Sequence, residues 1–514
     1  MELQLSRQGI TINETVFEGR IEQPVECDAL LPDYCPDIVK VLKCALLANI
    51  GNSSISGERL TIEGTAIANF FYTSAEGAIR RAEYKIPFAK SIELKGAPVN
   101  PLITVTPSVD YVNCRAVNQR RVDIRGAITM AVRVSSRRQQ DIVRDAENAE
   151  SAGLQIRSDL LPATDLVGHV RHDFSLAEDL ELGHGKGQIG QVIRCEGRAT
   201  LQDFKVVAGK VVAKGEFSLH ILYQPLDTAS PYETMKYSLP ISQIIDCDGV
   251  DEQSLVLVQF LVSACDVAPK ASESGEFSLL SLDARITAQI SAHRNAEIQV
   301  ASDCYSTRFE SGCKRQNISF IRLVDMISDT LQNRATLDLP EDVLDVLDAW
   351  CEVDNVTHKA ADEGLEIAMR LTVSMFARMK DDSILYFDQA TEISKVIPLE
   401  NIPFQMNFEP TVSVAASSFS LMGGDKIELR SDILVTGSVY GVIRHEAITE
   451  ITVDSSKEKQ NAQRKLIIYY ADPGESVWDI AKHYNTSANA IWIENGIEQD
   501  LLPAKQMLMI PILH

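Results

Sequence analysis

Three groups of residues have types and spacings that could support chemistry. Residues 185–190 match the dinucleotide-binding pattern G-x-G-x-x-G, but a β-like run follows them instead of a βαβ unit. His169 and His172 could bind a metal from one helix face, yet their surroundings are typical of strands. The acidic cluster at residues 26–37 lacks the glycine and the closing glutamate of a calcium loop. We therefore predict no catalytic residue, no metal site and no cofactor.

The last fifty residues contain a more specific pattern, because they predict a small unit with the order strand, helix, helix, strand. Pro473-Gly474 forms a turn after the first strand, and Ser476 is suited to cap the first helix. Asn495-Gly496 is typical of a left-handed helix end. Apolar residues at regular spacing should form its core, namely Val477, Ile480, Ala481, Tyr484, Ile491, Leu508 and Ile510.

This order resembles a LysM module, a small βααβ domain. The resemblance implies a groove between the loop after the first strand and the loop before the second. Backbone groups in such a groove bind the acetamido groups of N-acetylglucosamine, without a charged side chain or a nucleophile. The groove positions implied here are Gly474, Glu475, Ser476 and Val477 on the first wall, and Gly496, Ile497, Glu498 and Leu502 on the second.

Two features of this unit bear on its ligand. Ala504 stands where LysM modules usually have glycine, which weakens a sugar-binding interpretation. Trp478 and Trp492 are two of only three tryptophans in the chain. Either both are core residues, or at least one is an exposed anchor for a protein partner, since tryptophan is enriched at binding hot spots. We include Trp492 among the candidate groove residues.

Composition restricts the class of partner and the compartment. The chain has 49 Lys and Arg against 72 Asp and Glu, a net charge of −23, and such a field repels nucleic acid and anionic lipid. We expect no nucleic-acid partner, and no apolar run approaches the ~20 residues of a transmembrane segment. The N-terminus does not read as a secretory signal, and the ten cysteines form no C-x-x-C pair. We therefore expect free thiols and a cytoplasmic location.

The sequence before the last fifty residues contains three related copies, offset by 151 to 155 residues, which indicates domain triplication because solenoid repeats are far shorter. Three landmarks support this: Ile38-x-x-Val41-Leu42 with Ile189-x-x-Val192-Ile193 and Val343-x-x-Val346-Leu347; Tyr84 to Pro87 with Tyr237 to Pro240; and the turn glycines Gly57, Gly209 and Gly364. The third copy is the most degenerate, because it lacks the proline.

Each copy is predicted to be mainly β, as a sandwich or an open barrel. Apolar residues alternate in residues 59–72, and two alternating runs within residues 205–223 flank Ala208-Gly209 as in a hairpin. Copies one and three are predicted to begin with a short helix, since residues 339–348 place a proline and acids at a helix start. Late alternating runs occupy residues 122–134, 284–290 and 433–443.

Together these copies resemble the SPOCS domain of spore-forming Firmicutes. The resemblance is carried by residues 31–42 in the first copy and by residues 178–193, 210–216 and 238–246 in the second. Several such domains followed by one LysM module form the layout of SipL-like spore-coat morphogenesis proteins. That layout implies that the LysM module binds a coat partner, a SpoIVA-like ATPase, in the mother cell at the forespore surface.

We therefore predict a non-enzymatic scaffold or adaptor in endospore coat assembly. The alternatives are a peptidoglycan-binding envelope protein that holds N-acetylglucosamine, and a hydrolase without a recognisable motif. The predicted domains are SPOCS-like repeats at residues 1–150, 151–315 and 316–453, a linker at residues 454–464, and the LysM domain at residues 465–514.

Overall fold

The computed structural model is mainly β, with two short helices near the C-terminus, as the sequence predicts. The structure describes residues 4–147, 149–183, 185–226, 231–273, 275–340, 343–400, 405–422, 426–459 and 465–512. Among these residues, no helix is both long and apolar enough to cross a bilayer.

Three repeats of antiparallel strands follow one another along the chain. The first contains β1 (Leu5–Leu30), β2 (Lys40–Ser56), β3 (Arg59–Thr73), β4 (Ile79–Glu93), β5 (Leu102–Asn118) and β6 (Arg121–Ala146). The second contains β7 (Leu154–Glu181), β8 (Ile189–Val207), β9 (Lys210–Pro225), β10 (Glu233–Asp246), β11 (Leu255–Lys270) and β12 (Leu279–Ser306). The third contains β13 (Phe309–Asp338), β14 (Val343–Ala361), β15 (Gly364–Met379), β16 (Ile384–Pro398), β17 (Met406–Phe408), β18 (Thr411–Met422) and β19 (Lys426–Glu458).

Each repeat folds into two sheets with the same topology. The inner sheet is a meander, with strand orders β2-β3-β4, β10-β9-β8 and β14-β15-β16. The outer sheet places the last strand between the first and the fifth, as in β1-β6-β5 and β11-β12-β7. In the third repeat both β17 and β18 pair with β19, which also pairs with β13. The late alternating runs of the sequence are therefore the central strands of the outer sheets.

The two sheets of a repeat pack face to face over one apolar core. In the first repeat, Leu60 and Phe70 of β3 pack with Ile124 and Met130 of β6, and all four side chains are fully buried. Each such side chain contributes roughly 1.5–3 kcal/mol by its removal from water. The alternation seen in the sequence thus places one face of each strand inside a sandwich.

The predicted hairpin turns are present. Gly57 and Gly209 lie in two-residue turns with positive φ of 61° and 74°, which favours glycine. In the third repeat the turn is residues 362–363, and Gly364 is instead the first residue of β15.

The predicted short helices at the start of copies one and three are wrong, because β2 begins at Lys40 and β14 at Val343, while residues 341–342 lie outside the described residues. The cause is a β-bulge, which adds one residue to a strand and so breaks the two-residue alternation. In each inner sheet one of the register shifts falls in the repeated pattern, where it skips Leu42 in the first repeat, Ile193 in the second and Leu347 in the third. Apolar residues three and four apart then imitate a helical pattern.

The bulged residues meet in a cluster shared by all three repeats, which we call the central cluster. Its members are Leu42, Phe71 and Ile79 from the first repeat, Ile193, Leu222 and Tyr232 from the second, and Leu347, Trp350, Phe376, Ile384 and Tyr386 from the third. The Tyr232 hydroxyl also accepts a 2.7 Å hydrogen bond from the amide of Ile79. Equivalent positions of the three repeats therefore surround one apolar centre.

The cysteines differ from the expectation of free thiols in one respect. Cys44 on β2 and Cys114 on β5 are joined by a disulfide that links the two sheets of the first repeat. The other eight cysteines are free.

The third repeat reaches beyond the residues expected for it. β13 begins at Phe309 and β19 runs to Glu458, so residues 454–458 of the predicted linker continue a strand. Residues 460–464 lie outside the described residues. The domain boundaries given above remain predictions.

Candidate functional site: the LysM module and its groove

The C-terminal unit has the predicted βααβ order. It consists of β20 (Leu466–Ala471), α1 (Val477–His483), α2 (Ala488–Asn495) and β21 (Gln506–Pro511). The Ser476 hydroxyl accepts a hydrogen bond from the amide of Asp479 and caps α1. Gly496 ends α2 in the left-handed conformation, with φ of 62°. The predicted core forms around Val477, Ala481, Ile491, Leu508 and Ile510.

The two predicted groove walls are hydrogen-bonded to each other. Ser476 and Leu501 form an isolated antiparallel bridge. The Gly474 amide donates to the Leu502 carbonyl at 2.8 Å, and the Leu502 amide donates to the Glu475 carbonyl at 3.0 Å. Some of the backbone groups that would bind an acetamido group are therefore already hydrogen-bonded within the module.

Asp500 also joins the two walls, and its role was not predicted from the sequence. Its backbone carbonyl accepts from the Val477 amide at 2.8 Å, and its carboxylate accepts from the Trp478 amide at 2.9 Å. The same carboxylate accepts from the Ser476 hydroxyl at 2.9 Å. An acid in a loop has no signal of its own in the sequence, so only the fold reveals this contact.

The candidate groove residues differ in their exposure. Gly474, Gly496 and Glu498 are exposed, and Glu475, Trp492 and Ile497 are half-buried, while Ser476, Val477 and Leu502 are buried. The Glu475 carboxylate is already engaged, because it accepts hydrogen bonds from the Tyr469 hydroxyl and the Asp472 amide. The open part of the groove therefore consists mainly of the two glycine loops.

Two apolar side chains close to the second wall in sequence are exposed. Ile493 on α2 is 74% exposed, and Leu501 beside Leu502 is 63% exposed. Trp492 packs partly against the module core, and its indole Nε1 has no hydrogen-bond partner among the described residues. The exposed apolar surface here comes from Ile493 and Leu501 rather than from the tryptophans.

Trp478 is buried at a contact with the second repeat. Its ring meets Tyr305 of β12 edge to face, with centroids 5.0 Å apart, and its Nε1 donates to Asp303 at 2.8 Å. The Tyr305 hydroxyl donates to the Thr486 carbonyl at 2.8 Å. Tyr305 is 3% exposed and belongs to the LysM core cluster.

Charged groups strengthen this contact, which we call the LysM–repeat contact (Asp303 and Tyr305 with Trp478, Lys482 and Thr486). The Lys482 ammonium lies 2.7 Å from the Asp303 carboxylate. Burial raises the pKa of Asp303, but hydrogen bonds from Lys482 and Trp478 outweigh it and hold that pKa below its ordinary value. The carboxylate is therefore charged at neutral pH and fixes α1 to β12.

The histidine pair and the glycine-rich pattern considered for other chemistry lie on or beside strands of the second repeat. No group of three or more metal-binding side chains forms among the described residues. His169 and His172 lie on β7, a strand and not a helix, and β8 begins at Ile189, inside the glycine-rich pattern of residues 185–190.

Comparison with known families agrees with this architecture. Residues 37–117 and 188–270 match the family described as SipL, SPOCS domain, and residues 469–511 match the LysM domain. No curated protein and no solved structure matches the chain. The SPOCS matches extend from just before β2 into β5 and from just before β8 through β11, and the third repeat has a similar two-sheet topology outside them. Both domain types are non-catalytic binding modules. The chain therefore has the SPOCS and LysM domains of a SipL-like, sporulation-related protein with a module of the peptidoglycan-binding type.

Proposed function

We propose that the chain is a non-enzymatic adaptor in endospore coat assembly, and that its LysM module binds a coat morphogenetic protein, a SpoIVA-like ATPase. The observation that supports this most is the pair of exposed apolar residues, Ile493 and Leu501, next to groove walls that bond to each other. Exposed apolar side chains gain free energy from burial against a protein partner.

The state of the backbone amides supports a protein ligand over a sugar. The amides of Gly474, Glu475, Val477 and Leu502 all donate to carbonyls within the module. Sugar recognition of the LysM type would use such backbone groups, and breaking an existing bond offsets the gain from a new one. An apolar contact requires no such exchange.

The repeats would act as the support of the module. The LysM–repeat contact orients α1 on β12, so a partner bound at the glycine loops would have a defined orientation to the repeats. In this proposal the protein acts in the mother cell, at the forespore surface, where coat layers assemble.

Peptidoglycan binding is the second candidate, and the LysM match favours it. Gly474 and Gly496 are exposed, and a Cβ built on either meets nothing within 4 Å, so a ligand has room to approach both loops. The two candidates therefore share the loops but differ in the need for Ile493 and Leu501.

Binding assays on the full-length chain separate the two candidates. We expect Leu501→Asp to weaken binding to the SpoIVA-like ATPase at least tenfold, because the charge must be desolvated in the interface. Retention on purified peptidoglycan is measured in parallel. Ile244→Asp, at a 65% exposed position on β10, is the matched control and should leave both activities unchanged.

One result of these assays would refute the coat-partner proposal. A wild-type chain that sediments with peptidoglycan but shows no binding to the ATPase by biolayer interferometry excludes it. The glycan candidate then takes its place.

A further inference from the structure

We propose that Cys195 and Cys265 are an oxidisable thiol pair, which a hydroperoxide converts into a disulfide between the two sheets of the second repeat. The pair lies outside the LysM module and has no part in the function proposed above. The proposal rests on three observations about this pair: its position in the fold, the cation beside it and its access to solvent.

The pair occupies the same position as the disulfide of the first repeat. Cys195 and Cys265 each lie 151 residues after Cys44 and Cys114. The strand register agrees, since Cys44 pairs with Phe70 and Cys195 with Ile221, which are also 151 residues apart. A bond between the sheets is thus already accommodated once by this fold.

The third repeat shows that the position is not required to be cysteine. After the bulge in β14, the residue that corresponds to Cys44 and Cys195 is Ala349, which pairs with Met375. A small apolar residue is sufficient for packing there. The cysteines of the first two repeats therefore offer chemistry that the sandwich itself does not need.

The two thiols of the second repeat are in contact and lie beside a cation. The Cys195 thiol donates a hydrogen bond to the Cys265 backbone carbonyl at 3.4 Å. Arg81 of the first repeat places a guanidinium nitrogen 3.9 Å from the Cys195 sulfur. The Cys265 contact and Arg81 lower the pKa of Cys195 to about 6, although burial opposes them.

The same contact raises the pKa of Cys265, with burial as the second cause. The two partners therefore have distinct roles. Cys195 is the thiolate that attacks an oxidant, and Cys265 is the thiol that resolves the product.

The pair lies next to an open cavity between the first two repeats. The cavity has a volume of about 490 Å³, and its lining includes Arg81, which contacts Cys195, and Asp266, which follows Cys265 in the chain. Cys195 and Cys265 are both half-buried rather than enclosed. A small peroxide can therefore approach from the side of Arg81.

The chemistry balances with hydrogen peroxide as the oxidant. The Cys195 thiolate attacks one peroxide oxygen, the O–O bond breaks, and Cys195 sulfenic acid and hydroxide form. The Cys265 sulfur then attacks the Cys195 sulfur, the S–O bond breaks, and water leaves after protonation. Two thiols and one peroxide thus give one disulfide and two waters.

Peptide mapping of the full-length protein tests this proposal. The protein is reduced, freed of reductant, treated with hydrogen peroxide and digested without reduction. We expect a peptide cross-linked between Cys195 and Cys265. In Cys265→Ser we expect dimedone to trap a sulfenic acid on Cys195, and in Arg81→Gln we expect cross-linking to slow several-fold because a stabilising cation is lost.

The free cysteines Cys304 and Cys313 provide an internal control. Their thiols are also in contact, but burial and Cys313 raise the pKa of Cys304 to about 12. Cys304 should react with peroxide at least tenfold more slowly than Cys195 at pH 7, since its thiolate fraction is far smaller.

Stability gives a second readout. A bond that closes this loop restricts the unfolded chain, so the thermal midpoint should rise by several degrees after peroxide in the wild type and not in Cys265→Ser. The proposal is overturned if Cys195 is oxidised without a link to Cys265, or if it reacts no faster than Cys304.

Discussion

At the scale of single residues, a buried ion network joins the second and third repeats. The Asp348 carboxylate is fully buried, 3.0 Å from the Arg194 guanidinium and 2.8 Å from His220 Nε2. Arg194 also lies over the Trp350 ring at 4.1 Å. The equivalent residue of the first repeat, Lys43, pairs with Asp388 of the third at 2.8 Å, but this second pair is partly exposed. The sequence could not predict the network, because Asp348 is one of several acids in a short run.

We predict that Asp348→Asn destabilises the protein by about 3 kcal/mol, because the buried Arg194 guanidinium would keep only Glu196 of its two carboxylate partners. Urea unfolding at pH 7 measures this. The control, Asp388→Asn, should cost only about 0–1 kcal/mol, since exposed pairs contribute little. Equal losses in the two variants would contradict the importance of burial.

The ion pairs of Asp348 also predict that the free energy of unfolding depends on pH. Burial raises the pKa of Asp348, but Arg194 and His220 outweigh it and hold that pKa below the ordinary value of 3.8. Its stabilisation is therefore present above that ordinary value and is lost as the pH falls through the lowered pKa. The difference in unfolding free energy between wild type and Asp348→Asn should shrink in acid, in urea titrations below pH 4.

At the scale of elements, the strands were predictable where apolar and polar residues alternate, and the helices of the LysM module where caps mark their ends. Prediction failed at the start of β14, because a bulge removes the two-residue period on which strand recognition depends. The repeated pattern that revealed the triplication contains the equivalent bulge in all three repeats. The bulged residue of the second repeat, Ile193, is fully buried in the central cluster.

We predict that Ile193→Ala costs about 2–4 kcal/mol, since it leaves a cavity where three repeats meet and no single strand can collapse into it. Ile244→Ala, at the exposed position on β10, is the control and should change stability by less than about 0.5 kcal/mol. Thermal and urea unfolding of both variants measure the difference. A loss for Ile193→Ala no larger than that of the control would show that the central cluster is not a shared core.

At the scale of the whole molecule, the βααβ order and the groove loops could be predicted from adjacent residues, but the position of the module could not. Tyr305 and Asp303 precede Trp478 by more than 170 residues in sequence, and neither has a distinctive pattern around it. Sequence reasoning left Trp478 as either core or anchor. The structure gives it a third role, as a core residue that also contacts the second repeat.

We predict that the double variant Asp303→Ala, Tyr305→Ala releases the LysM module from the repeats. The variant removes the edge-to-face contact with Trp478 and the charge opposite Lys482, and leaves weaker contacts such as the partly exposed ion pair of Arg157 with Asp500. Small-angle scattering should show a larger radius of gyration, and limited proteolysis should separate the module from the repeats faster. Tyr470→Ala, at a 66% exposed position on β20, is the control and should change neither measurement. Because the pKa of Asp303 is held low, its part of the attachment should persist above its ordinary pKa and weaken only in acid.

If the glycine loops are the partner site, the released module keeps its affinity for the partner, whereas a lost affinity would place β12 inside the interface.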